Sequence, residues 1–227
     1  MARTGRKDEI RRRIRLKILL SDIAPGTVID EEALADEFGV SRTPIREICA
    51  HLVAEGSAEY HRGRGACSPP VTAEGVEAVF EAAATAYPAL FSLVVARVDA
   101  FDLTRLRSLV QALVALTDSG PIELKAGRYL DFMEACADTA QNEILARGTR
   151  QLIREECRIA IAVPQLQAAP DHPGHPLNVL IGFCGPLLAA LERRDLDGVL
   201  TVLDDRLRRS KTHHDRLLQD VPRADEI

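Results

Sequence analysis

The chain has 227 residues, of which 46% are hydrophobic and 28% charged, a composition typical of a soluble globular protein with one large domain or two small ones. It contains no run of eighteen uncharged apolar residues and no apolar segment near its start that ends in a cleavage site, so we expect neither a membrane span nor secretion. Five scattered cysteines without a CxxC pair indicate reduced thiols in a cytoplasmic protein, and not a disulfide framework or a zinc site.

The net charge of −5 is unevenly distributed along the chain. Residues 1–17 contain eight Lys or Arg and two acidic residues, whereas residues 71–227 contain seventeen Lys or Arg and twenty-three acidic residues. A basic segment is therefore attached to a mildly acidic body, a pattern that fits either a nucleic-acid contact or a solvated tail.

Residues 8–20 predict an amphipathic helix, because apolar side chains recur at helical spacing while the opposite face is basic. The central apolar positions are Ile10, Ile14 and Ile18. A second helix is expected to begin at Asp30 or Glu31 and to stop at Gly39, in the position of a left-handed C-cap.

A third helix is predicted from Ser41 to Gly56, because a hydroxyl side chain ahead of a proline in the first turn is typical of a helix start. Its exposed N-terminal end carries Arg42, Thr43 and Arg46. Residues 57–71 predict two short strands around the turn Arg62–Gly65. This order indicates a winged helix-turn-helix, in which one helix enters the DNA major groove and the wing supplies cations. The alternative is a helical hairpin that carries arginines without binding DNA.

Residues 10–67 resemble the DNA-binding domain of the GntR family of bacterial transcription regulators. The resemblance is carried by Pro25–Thr27, Leu34–Glu47, Leu52, Glu55–Gly56 and Arg62–Gly65, while Ile48–Cys49 stand where the family usually has Ala-Leu. It implies that the recognition helix contacts operator DNA through Ser41, Arg42, Thr43 and Arg46. It also implies that the wing enters the minor groove at Arg62 and Gly63, with Arg64 beside them. The run Arg11–Arg13 is expected to add salt-dependent affinity without sequence information.

Pro69 and Pro70 mark a linker, which predicts two domains, residues 1–70 and residues 71–227. The second is expected to be an all-helical bundle packed by Leu, Val, Ala and Ile. Its predicted helices lie near residues 74–97, 102–117, 121–138, 141–163, 175–194 and 196–219. Asp102 and Asn142 are expected N-caps, Asp195 is expected to separate the last two helices, and Pro88 is expected to kink the first. The fold class is therefore mainly α, with a small β-hairpin wing.

An all-helical domain behind a GntR head resembles the smaller, six-helix branch of the FadR subfamily, whose C-terminal domain binds an effector. Phe132 with Asn142 and the run Ala190–Asp195 carry this resemblance. Most members hold a divalent metal with one aspartate and three histidines, but the matching positions here are Tyr129, Met133, Cys184 and Arg206. The pairs His172–His175 and His213–His214 have no obvious third ligand, so we expect no metal cofactor.

The resemblance places an effector pocket at six positions, which are Ala83, Tyr87, Tyr129, Met133, Cys184 and Arg206. The residue types suggest a metal-independent pocket for an amphipathic or apolar ligand, with Arg206 meeting any acidic group. The alternative is that the four positions Tyr129, Met133, Cys184 and Arg206 only fill the core, with Arg206 at the surface, and that the domain only dimerises.

Together these features predict a homodimeric regulator, more specifically a repressor, that binds a palindromic operator in double-stranded DNA and responds to a small-molecule effector. An enzyme is disfavoured, because the sequence has no GxSxG motif, phosphate loop or paired-carboxylate motif. The remaining alternative is a ligand-independent dimer that binds DNA constitutively or as an architectural protein.

Overall fold

A computed structural model describes the backbone of residues 2–116, 120–166 and 176–217. The chain divides into two compact units, the first ending at Val71 and the second beginning at Thr72. The fold is mainly α-helical, with one two-stranded antiparallel sheet in the first unit, as the sequence predicted.

The first unit contains three helices followed by a hairpin. The helices are α1 (Ala2–Leu19), α2 (Glu31–Phe38) and α3 (Arg42–Ala54), and the strands are β1 (Glu59–His61) and β2 (Gly65–Cys67). The strands pair with Tyr60 opposite Ala66, and a further bridge joins Val28 to Cys67. The first helix thus starts six residues earlier than the predicted residue 8, and α3 ends two residues before Gly56.

Apolar side chains from all three helices form the core of this unit. Those on the helices include Ile10, Ile14, Ile18, Leu34, Phe38, Ile45, Ile48 and Leu52. Ala58 and Ala66 extend this core to the hairpin. Burial of such side chains stabilises each by roughly 1.5–3 kcal/mol, which fixes α3 against α1 and α2 and leaves its polar face outside.

The second unit has seven helices among the residues that the structure describes. They are α4 (Ala73–Arg97), α5 (Ala100–Val114), α6 (Ile122–Thr139), α7 (Glu143–Leu166), α8 (Pro176–Gly182), α9 (Cys184–Glu192) and α10 (Leu196–Leu217). The predicted single helix over 175–194 is wrong, because the chain breaks at Phe183 into α8 and α9. The expected six-helix count is wrong for the same reason.

The caps of these helices explain where they start. Asp99, and not the predicted Asp102, is the N-cap of α5, since it accepts from the Asp102 N–H at 2.8 Å while the Asp102 carboxylate accepts from the Asp99 N–H. This capping box satisfies two otherwise unpaired N–H groups. Asn142 accepts from the Leu145 N–H and Asp195 from the Gly198 N–H, as expected for the starts of α7 and α10. Helix α4 runs through Pro88.

Candidate nucleic-acid interface and buried polar cluster

The turn between α2 and α3 exposes the start of the recognition helix. Gly39 has a φ of 60°, and the N–H of Val40 donates to the carbonyl of Ala35 at 3.0 Å, which closes α2 as the sequence predicted. Ser41 occupies the N-cap position of α3, but its hydroxyl makes no capping hydrogen bond. The hydroxyl therefore stays available, and its exposed position is suited to contact with DNA.

The two recognition arginines are exposed and paired with carboxylates of α2. Arg46 Nε lies 3.2 Å from Glu31 Oε2, and Arg42 forms an ion pair with Glu32. Both glutamates lie in the first turn of α2. Sequence reasoning did not foresee these partners, although the N-cap of α2 and its first two residues are all acidic and indicated local negative charge.

The hairpin tip presents the predicted wing residues. Arg62, Gly63 and Arg64 are all exposed, and Gly63 and Gly65 have φ values of 84° and 89° that favour glycine. Arg64 donates to the carbonyl of Gly26 at 3.4 Å. A groove of about 950 Å³ lies between the wing and the helices α2 and α3, and it is bordered by Arg42, Arg46, Gly63 and Arg64. Ser41 and Thr43 border a second groove, which faces α1.

Three successive arginines of α1 have partners within the first unit. Arg11 and Arg12 pair with acids one turn earlier, Asp8 and Glu9, each at 3.1 Å. Arg13 lies over the ring of Phe38, with 4.9 Å between its guanidinium carbon and the ring centroid. The expected contribution of Arg11–Arg13 to DNA affinity therefore competes with these contacts.

Two other basic side chains of α1 bind distant residues of the helix-turn-helix. Arg15 forms a bidentate ion pair with Glu55 at 2.6 and 2.8 Å, and Arg6 donates to the carbonyl of Phe38 at 3.1 Å. Their partners lie more than thirty residues away in sequence. No local pattern could have identified them.

The six predicted effector-pocket residues are all buried in the second unit. They are Ala83, Tyr87, Tyr129, Met133, Cys184 and Arg206. The alternative that placed Arg206 at the surface is wrong, because its side chain is 0% exposed. Whether these residues line an effector pocket stays a prediction, and the centre of this region is polar.

Glu156 of α7 pairs with Arg206 at the centre of this cluster. Arg206 Nη2 lies 2.5 Å from Glu156 Oε1, and Nη1 lies 3.2 Å from Oε2. The hydroxyl of Tyr87 donates to the same carboxylate. The rings of Tyr87 and Phe183 lie 4.9 and 5.0 Å from the guanidinium carbon. Sequence reasoning missed Glu156 and Phe183, since a single glutamate in a charged run looks like a surface residue.

Burial controls the titration of this cluster. It raises the pKa of the Glu156 carboxyl, while Arg206 and the hydrogen bond from Tyr87 act in the opposite direction. Burial also raises the pKa of the phenols of Tyr87 and Tyr129, with a further contribution from Glu156. For Arg206, burial alone would lower the pKa, but the attraction of Glu156 raises it. Arg206 is therefore a permanent cation.

Two polar atoms of the cluster form no hydrogen bond of good geometry among the described residues, although the Tyr129 side chain lies close enough to Arg206 to raise its pKa. They are Nε of Arg206 and the hydroxyl of Tyr129. A cleft of about 280 Å³ adjoins Arg206 and is bordered by Asn178, Phe183 and Arg209. Arg209 pairs with Asp205 at 2.8 Å, so the cleft contains both signs of charge.

Within the described part of the chain, no group of three or more His, Cys, Asp or Glu could hold a metal ion. His172 and His175 lie outside the described residues, as do the side chains of His213 and His214. All five thiols are free and buried. The expectation that the protein uses no metal stays a prediction.

The sequence of the first unit matches a known family. Residues 6–67 match the family described as bacterial regulatory proteins, gntR family. An HTH-type transcriptional regulator in an unstable DNA locus of Streptomyces ambofaciens is 44% identical over 54 residues, which are 24% of this chain and 22% of that protein. The chain thus aligns with about a fifth of that relative's length. The family match is confined to the residues of the first unit.

Solved structures resemble nearly the whole chain. E. coli McbR/YncC has a TM-score of 0.75 at 20% identity, and the alignment covers 94% of this chain and 97% of that one. A transcriptional regulator GntR from Rhodococcus sp. RHA1 has a TM-score of 0.70 at 16% identity, with coverage of 95% and 98%. At these identities the likeness shows a shared fold, a winged helix-turn-helix followed by a helical domain.

Proposed function

Because residues 6–67 match the gntR family, we propose that this protein is a cytoplasmic, sequence-specific DNA-binding transcription regulator, and specifically a repressor. The observation that carries the proposal is the exposed N-terminal end of α3 beside an arginine-bearing wing. Arg42 and Arg46 read base edges, Ser41 and Thr43 contact the adjacent backbone, and Arg62, Gly63 and Arg64 follow the minor groove.

The proposed regulator acts as a homodimer on a palindromic operator, with one recognition helix in each half-site. An exposed apolar face of α4 supports the proposed dimer, because small residues recur on it at helical spacing and a second copy of the chain can pack there. They are Ala78, Ala82, Ala89 and Ala96. By length and composition alone α4 could cross a membrane, but the core helix of a soluble protein meets the same test, and we propose no membrane contact.

The proposed regulator releases or binds DNA in response to a small amphipathic ligand in the second unit, without a metal. Arg206 Nε and the Tyr129 hydroxyl support this, because a buried donor without a good partner favours a ligand acceptor. The adjoining cleft of about 280 Å³ limits the ligand to a small molecule. Any acidic group on the ligand must compete with Glu156 for Arg206.

A ligand-independent DNA-binding dimer is the second candidate. It is favoured by the Glu156–Arg206 pair, since the chain's own carboxylate already satisfies the two Nη groups of Arg206. Thermal shifts with a metabolite panel distinguish the two candidates, because a ligand that binds only the folded state raises the melting temperature.

Fluorescence anisotropy on DNA from upstream of the protein's own gene, with unrelated competitor DNA, tests the DNA-binding function. Arg46→Ala is expected to cost about 1–3 kcal/mol of operator affinity. Arg208→Ala is the matched control, because Arg208 is an exposed arginine of α10 with an ion pair to Asp204. Wild-type affinity in Arg46→Ala would contradict the assignment of the recognition helix.

A further inference from the structure

We propose that Glu32, assisted by Glu31, determines DNA specificity. These two carboxylates pair with the recognition arginines Arg42 and Arg46 in the free protein, and only the correct bases replace the carboxylates as partners of the arginines. The inference rests on the proposed DNA-binding function and adds to it a residue that selects against wrong DNA. It arises from the ion pairs Arg42–Glu32 and Arg46–Glu31, which join α3 to the first turn of α2.

The groove between α2, α3 and the wing carries no net charge. It is bordered by three carboxylates and three guanidinium groups, which are Asp30, Glu31, Glu32, Arg42, Arg46 and Arg64. Sequence-independent affinity for DNA comes mainly from unpaired cations of the protein that neutralise phosphates. Because Arg42 and Arg46 face carboxylates, the groove binds the phosphate backbone weakly, which disfavours random sequences.

The two glutamates differ in exposure, so Glu32 affects DNA specificity more than Glu31 does. The Glu32 side chain is 68% exposed and faces the same groove as Arg42, whereas that of Glu31 is 26% exposed. When Arg42 turns to DNA, Glu32 is left beside the nucleic acid without its cation. The Glu32 carboxylate must then lie against either a hydrogen-bond donor or a negatively charged group of the DNA.

In the major groove, a carboxylate can be satisfied only by an exocyclic amino group, and cytosine N4 is its usual partner. Arginine binds the O6 and N7 acceptors of guanine through two hydrogen bonds. A site that offers guanine to Arg42 and a neighbouring cytosine to Glu32 satisfies both partners of the broken ion pair. DNA that offers phosphate or carbonyl oxygens to Glu32 is repelled, and this difference in affinity is specificity.

Both glutamates also lie at the positive end of the α2 dipole, where acidic side chains stabilise a helix. A purely structural role predicts a lower melting temperature for Glu32→Gln and unchanged DNA binding. The proposed role predicts a change in DNA binding while the melting temperature stays near that of wild type, since Asp30 still caps α2 through the N–H groups of Glu32 and Ala33.

The first experiment measures binding of the full-length protein to a labelled duplex of random sequence over a salt series. Glu32→Gln is expected to bind about three- to ten-fold more tightly, with a logarithmic salt slope steeper by about one, because Arg42 becomes free for phosphate. Asp204→Asn is the matched control, since it removes one exposed carboxylate and one ion pair, that to Arg208, on α10 of the second unit. Equal changes in both variants would overturn the inference.

The second experiment selects binding sites from a random duplex library with wild type and Glu32→Ala. One cytosine-containing position enriched by wild type is expected to become degenerate in Glu32→Ala, while the other positions persist. If both proteins enrich the same site, the inference is wrong and the proposed function stands. If wild type enriches no sequence, the proposed function fails and the inference with it.

Discussion

Arg206 and Glu156 lie fifty residues apart in sequence and form a bidentate ion pair in the interior of the second unit. The Arg206 side chain is 0% exposed and that of Glu156 is 4% exposed. Because two charges are costly to desolvate, the pair is stable only as a pair, and loss of one partner leaves the other unsatisfied.

Arg206→Met is expected to lower the free energy of unfolding by about 3–5 kcal/mol at neutral pH, because it leaves the Glu156 carboxylate buried without its cation. Urea unfolding measures this loss. The double variant Arg206→Met/Glu156→Leu should recover most of it, since an apolar pair of similar volume needs no counter-ion. A single variant as stable as wild type would contradict the described pairing.

The cost of Arg206→Met should shrink as the pH falls. Burial raises the pKa of Glu156 in the folded state, and removal of Arg206 takes away the main effect that lowers it. The folded variant therefore binds more protons than the unfolded chain between the ordinary and the raised pKa, so its stability is greatest below the ordinary glutamate pKa and declines as pH rises. Thermal melts of wild type and variant from pH 4 to pH 8 check this, and a constant difference would exclude titration of Glu156.

Gly39→Ala is expected to cost about 1 kcal/mol of stability, because Gly39 has a φ of 60° that only glycine adopts without strain. An added Cβ would meet nothing within 4 Å, so the cost arises from the backbone alone. Gly127→Ala is the control, since this glycine lies inside α6 with equal space, and alanine there should stabilise the helix by about 0.5–1 kcal/mol. Opposite signs in urea unfolding are the expected result.

The Cys49 thiol should react slowly with a disulfide reagent at pH 8. Burial, with a smaller contribution from Glu31, raises its pKa to about 11, so little thiolate is present. The rate of modification should increase toward pH 11 and should rise sharply in urea, where the thiol is exposed. A variant that retains only Cys49 isolates the signal, and rapid native-state labelling at pH 8 would contradict the described burial.

Local signals predicted the first unit in detail. Gly39 after an apolar helix face and the Gly63–Gly65 turn allow the positive φ that a C-cap and a tight turn require, whereas Pro44 fixes φ in the first turn of α3. The structure reproduces that order of elements. In the second unit, one error arose where two local signals compete, since both Asp99 and Asp102 can cap a helix and the structure has Asp99 as the N-cap.

The sequence by itself determined the winged helix-turn-helix, its exposed arginines and the helical character of the second unit, because these follow from side-chain periodicity and turn chemistry over a few residues. Only the tertiary structure decided the partners of the charged groups. Glu156 becomes the counter-ion of Arg206, and Glu32 that of Arg42, because packing brings together side chains that lie on different helices. The energy of such a pair depends on distance and burial, and neither quantity is encoded in local spacing.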